Sequence, residues 1–182
     1  MKLIRDIQRL TGNFELHRKL RQVNRHKRIH NFTTARSAGI LFSCRSEDEF
    51  EAVKEFKQFL ESEAIDTSVL GFVDDQEIPD HYLLRKGFQF FCLKNLKWSK
   101  VPGVPFVNDF SVKPFDILFD LSLEDHFPMN YILKLNPAAY KIGRLVKHTE
   151  YDLMIDIDKE ISIVYLIEQI RHYLSIIHTK KP

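Results

Sequence analysis

Glycine and cysteine are scarce in this chain of 182 residues: it has six glycines and two cysteines. No stretch approaches the roughly 20 apolar residues that span a bilayer. The opening Met1-Lys2-Leu3-Ile4-Arg5-Asp6 has no signal-peptide apolar core. Together these absences predict a cytoplasmic protein with no transmembrane segment. Cys44 and Cys92 lie in or at the end of apolar runs. With no Cys-x-x-Cys and no Cys/His pairing at zinc spacing, they read as buried reduced thiols. G-x-S-x-G, H-E-x-x-H and Walker motifs are absent, so the hydrolase, zinc-protease and P-loop chemistries they signal have no support.

The shortage of glycine matters most at one turn. In nucleotide-binding α/β folds the turn after the first strand is glycine-rich, so that backbone N–H groups can touch phosphate at the next helix. Here that turn reads Ser43-Cys44-Arg45-Ser46-Glu47-Asp48-Glu49. It has no glycine, and its three carboxylates complement the helix dipole in place of a phosphate. Arg45 alone favours an anion, and no cofactor is expected.

What the chain does have is a repeated stretch. Phe115-Asp116-Ile117-Leu118-Phe119-Asp120-Leu121 returns as Tyr151-Asp152-Leu153-Met154-Ile155-Asp156-Ile157. Each reads aromatic, Asp, three apolar residues, Asp, apolar, as buried strands do, and both are placed inside a sheet. Further strands are predicted at 38–42, 69–73, 89–93 and 138–143. Ser46 and Glu49 form a capping box that opens a helix running to about residue 63. Pro128 suits the first turn of a helix that Pro137 stops, with Asp125 as its N-cap. A last helix is predicted over 160–178. The segment 94–114, punctuated by proline and glycine, reads as a long connection. Alternating strands and helices predict an α/β fold: a Rossmann-like, open, mainly parallel sheet of five to six strands with helices on both faces.

Charge is uneven. Residues 1–36 hold ten Lys/Arg against Asp6 and Glu15, a net of +8; the other residues hold 17 Lys/Arg against 23 Asp/Glu, a net of −6. The expected organisation is a basic helical arm, 1–36, ahead of one α/β domain, 37–182. Over 3–30 the apolar spacing predicts one or two helices, with Gly12-Asn13 as a candidate break. Arg18, Lys19, Arg21, Arg25, Lys27 and Arg28 are the candidate polyanion-binding residues. No aromatics are interleaved to stack bases, so such binding would be non-specific. His26 and His30 stand four apart, but flanking cations argue against a metal site.

Phe115-Asp116-x-Leu118, Ala138-Ala139-Tyr140-Lys141-Ile142-Gly143, Tyr151-Asp152-Leu153-Met154-Ile155-Asp156 and the closing Tyr173-Leu174-Ser175-Ile176-Ile177 together resemble an uncharacterised family of Bacteroidetes proteins of similar length. The resemblance extends to the 38–42 strand and the basic arm. It implies a bacterial cytoplasmic protein and assigns no catalytic residues. Residues 115–143 also bear a fainter similarity to one strand–helix–strand unit of heptosyltransferase-like glycosyltransferases, a fold-level analogy.

Three functional readings follow. The first is a non-enzymatic binding or adaptor domain whose basic arm contacts a polyanion (RNA or the ribosome) or a protein partner. The second is a transferase-like enzyme. Ligands of open parallel sheets sit beyond the carboxyl ends of the strands, where Ser43, Arg45, Asp74 and Ser122 are crevice candidates. Asp120 and Asp156 are the candidate catalytic carboxylates there, provided their strands are near neighbours. The third is a subunit of a larger assembly.

Overall fold

The computed structural model describes residues 2–147 and 150–178. Helix α1 spans Lys2–Leu20. Then follow β1 (Ser37–Ser43), α2 (Glu47–Ser62), β2 (Asp66–Val73), the single turn α3 (Asp80–Leu83) and β3 (Phe88–Cys92). The second half holds α4 (Pro105–Val112), β4 (Ile117–Asp120), α5 (Phe127–Leu135), β5 (Tyr140–Arg144), β6 (Leu153–Ile155) and α6 (Ile163–Ile176). The six strands form one open sheet in the order β3-β2-β1-β4-β5-β6, every neighbouring pair parallel.

Side chains alternate across the sheet. Ile40, Phe42, Ile117, Phe119 and Ile142 pack with Phe50, Val53, Phe56 and Leu60 of α2 and Leu166, Ile170 and Leu174 of α6. On the other face Leu41, Leu70, Phe72 and Leu118 meet Val107 and Phe110 of α4 and Met129, Ile132 and Leu133 of α5. Both faces are thus covered, as an all-parallel sheet requires. Outside α5 lies α1, whose Leu16 packs with Val101, Tyr131 and Leu135. Buried Asn136 ties α4, α5 and β5 together. Its Nδ2 donates to the carbonyls of Phe110 (2.8 Å) and Lys113 (3.1 Å), and its Oδ1 accepts from the Ala138 N–H (2.9 Å).

Several expectations need correction. α1 runs through Gly12-Asn13 without a break and stops at Leu20. Beyond it the chain takes no helix up to β1, because its polar groups are tied to the sheet: Arg25 Nε donates to the Ala138 carbonyl (2.6 Å) and the Arg28 N–H to that of Ala139 (3.1 Å). The connection 94–114 contains α4, with Pro105 in its first turn; Val107 and Phe110 form a stripe too short to stand out among prolines. β6 is an edge strand rather than an inner one, and Met154 is 47% exposed. The N-cap of α5 is His126, without a side-chain cap bond, because Asp125 turns toward Arg144, 3.5 Å away.

Gly12 sets the approach of α1. A Cβ there would lie 2.5 Å from the Ser99 carbonyl oxygen and 2.8 Å from the Phe127 ring. Helix propensity alone predicts that Gly12→Ala gains up to about 1 kcal/mol. The close approach predicts the opposite, a loss of about 1–3 kcal/mol in urea unfolding; a gain would show that α1 is not seated this way.

Candidate functional site at the carboxyl end of the sheet

The strand order reverses between β1 and β4, and crevices open above such reversals. Ser43 ends β1, Asp120 ends β4, and Ser122 and Asp74 follow β4 and β2. Because β2, β1 and β4 are neighbours, the fold gathers these four sequence candidates at one edge. Asp120 is buried. Its Oδ1 accepts from the Ser122 N–H (2.9 Å) and its Oδ2 from the Tyr151 hydroxyl (2.7 Å). Burial pushes its carboxyl above the usual range, against the opposing pull of Ser122, Tyr151 and Arg144. Burial, and next the Asp120 charge, push the Tyr151 phenol upward in turn. Arg144, at the end of β5, donates from Nε to the Ser122 carbonyl (3.2 Å). Ser43 Oγ and Ser122 Oγ are buried without a hydrogen bond of good geometry among the described residues.

Ion pairs span this edge. Arg45 donates from Nε to Glu49 (3.0 Å) and from a terminal nitrogen to Glu124 (2.8 Å). His126 stands 3.4 Å from Glu124 and 3.8 Å from Asp74. The one cation expected to favour an anion is thus already held by two carboxylates, its pKa raised first by Glu49. Next to it the Cys44 thiol is pushed up to about 11, chiefly by burial, which leaves it protonated at neutral pH.

Asp156 stands apart. β5 separates its strand from β4, and it is exposed, accepting from the Asp158 N–H (2.9 Å). The repeated stretch has a structural explanation instead. Each second Asp accepts an N–H two residues on: Asp120 from Ser122, Asp156 from Asp158. Each first Asp receives the start of the neighbouring strand: Asp116 from the Arg36 and Ser37 N–H groups (2.7 and 3.1 Å), Asp152 from that of Lys141 (2.8 Å).

The basic candidates divide into two sets. Arg25 and Lys27 pair with Asp152. Burial raises that carboxyl, but Arg25, the Lys141 N–H and Lys27 together hold it below the usual range. Lys19 stands 3.7 Å from Glu15. Arg18, Arg21 and Arg28 are exposed and make no ion pair among the described residues.

Sequence reasoning missed Arg144, Tyr151 and Lys141. The available signal was Gly143, since glycine inside a strand marks a close approach: a Cβ there would lie 2.5 Å from the Tyr151 ring. Lys141 is buried and its Nζ donates to the Leu133 carbonyl (2.6 Å), at the carboxyl end of α5. Such a lysine suggests a nucleophile. Here it caps a helix, where positive charge is favoured.

Among the described residues no cluster of three or more His, Cys, Asp or Glu is placed to hold a metal, and no helix is long and apolar enough to cross a membrane. The fold and site define an open, all-parallel α/β domain of Rossmann-like order whose switch-point edge is bridged by ion pairs. A family model described as a family of unknown function (DUF6913) matches residues 9–177, and the chain belongs to that family. No curated protein and no solved structure matches it.

Burial, and next Arg25, push Lys141 down from 10.5 to about 8. Between those values the unfolded chain holds the proton that the folded one has released. The lysine therefore adds stability as pH rises through that window. The stability of wild type relative to Lys141→Met should rise by about 2–3 kcal/mol from about pH 8 to about pH 10 in urea titrations. A flat difference would mean the ammonium is not desolvated.

Proposed function

We propose that the protein is a non-enzymatic binding domain that holds a polyanionic partner through the cations of its N-terminal segment. The observation that supports this most is the placement of Arg18, Arg21 and Arg28: exposed, unpaired among the described residues, and close together in the chain. Cations so placed neutralise phosphates and release counterions. At the sheet edge, by contrast, Arg45 already has its anions. The finer expectations, a cytoplasmic setting and a Bacteroidetes-type family, belong to this reading.

On immobilised heparin the protein should elute at a salt concentration well above that of Arg18→Glu/Arg21→Glu/Arg28→Glu. Its logarithmic salt slope should be steeper by about 1 for each arginine. Identical elution of the two would remove the reading.

One observation favours the transferase-like alternative: the buried hydroxyls of Ser43, which has no hydrogen-bond partner among the described residues, and of Ser122, which acts on the Asp120 carboxyl, flank the buried Asp120. If they await a ligand, some member of a panel of nucleotides and nucleotide sugars should raise the melting temperature of wild type and not of Ser43→Ala/Ser122→Ala. The binding-domain reading expects no such shift. It expects the double variant to stay within about 1 kcal/mol of wild type, because the gain from removing the unsatisfied Ser43 hydroxyl offsets the loss of the Ser122 side chain beside Asp120.

A further inference from the structure

Helix α1 has two faces. Gly12, Leu16 and Leu20 look inward, toward Ser99, Phe127, Tyr131 and Leu135. On roughly the opposite side, by the 3.6-residue turn, Leu3, Ile7, Leu10 and Phe14 recur at spacings of four, three and four, with Ile4 beside them. These five side chains are between 44% and 72% exposed. Single exposed apolar residues are ordinary, but an apolar ridge along one helix marks an interaction surface. Arg18 follows Phe14 by about one turn, and exposed Ile29 adjoins Arg28.

We propose that this ridge docks on an anionic lipid surface. α1 lies flat in the interface, Leu3, Ile7, Leu10 and Phe14 enter the acyl boundary, and Arg18, Arg21 and Arg28 meet the headgroups. The inference rests on the polyanion reading above and names the polyanion. Charge complementarity together with the apolar ridge selects the lipid. A nucleic acid satisfies the arginines and leaves the ridge in water. A second copy docked ridge on ridge covers the apolar side chains but brings the same arginines with them. An anionic bilayer satisfies both, since interfacial helices bind by buried apolar area plus attraction to acidic lipids.

The test is flotation of the full chain with vesicles of phosphatidylcholine alone or mixed with phosphatidylglycerol. Wild type should float with the mixed vesicles and not with the neutral ones. Leu10→Gln/Phe14→Gln, changed only at exposed positions, should lower partitioning about tenfold or more. Arg18→Glu/Arg21→Glu should lower it and flatten its salt dependence. Unchanged partitioning of the Leu10/Phe14 variant would overturn the inference. So would retention on heparin without flotation, which leaves the polyanion reading standing; failure on both surfaces removes both. A dimer seen by light scattering and dissolved by Leu10→Gln/Phe14→Gln would assign the ridge to a second copy and also overturn it.

Discussion

Two carboxylates at the amino end of the sheet, Asp116 and Asp152, latch neighbouring strands together, and at the centre of the sheet the side-chain pattern alone leaves the strands free to slip. A strand in an antiparallel sheet with one wet face is held in register because a one-residue slip turns its apolar set outward. The central strands here are apolar on both faces, so a slip exchanges one apolar side chain for another. Asp116 removes that freedom at the centre, and Asp152 adds the same kind of latch to the edge pair. Each stands just ahead of one strand and accepts backbone N–H groups from the start of its neighbour: Asp116 ahead of β4 for β1, Asp152 ahead of β6 for β5. A carboxylate that must meet those donors fixes one strand against the next.

The second latch also reaches into the N-terminal segment. Asp152 needs a countercharge, because burial alone drives its carboxyl upward. Arg25 supplies one, and its guanidinium also donates to the carbonyls of Ala138 and Ala139. The same carboxylate therefore holds β5 in register and anchors residues around 25 to the domain. Asn31 continues the attachment by donating to the Ile177 carbonyl (2.8 Å). The basic segment is thereby sorted: Arg25 and Lys27 complete the latch, while the side chains of Arg18, Arg21 and Arg28 are exposed and make no ion pair among the described residues.

Most of the architecture was legible because it rests on local pattern. The six strands, the Ser46 cap, which accepts from the Glu49 N–H, and the Pro137 stop are written in apolar runs and turn chemistry. The gathering of Ser43, Asp74, Asp120 and Ser122 was legible too, because strand ends of a parallel sheet must share an edge. What escaped was long-range. Tyr151 reads as the first residue of a strand, yet its hydroxyl serves Asp120, 31 residues away. Asp152 and Arg25, paired across 127 residues, read as a strand residue and an arm cation. The end of α1 was missed because Arg25 and Arg28 are compatible with a helix; only their bonds to Ala138, Ala139 and Asp152 hold the chain out of one.

The exposure of the α1 ridge follows from the same close packing. A free amphipathic helix would roll until its apolar side met the domain, gaining roughly 25 cal/mol for each square ångström buried. Here rolling is blocked at Gly12, where even a methyl group would meet the Ser99 carbonyl at 2.5 Å. The leucines and phenylalanine of the ridge would have to enter a space that admits only hydrogen. Gly12 and Leu16 therefore hold one side of the helix against α5, and that contact keeps the more apolar side facing outward. A helix seated this way presents its ridge without any rearrangement, so the ordering cost of forming a binding surface is met within the fold, before any partner arrives.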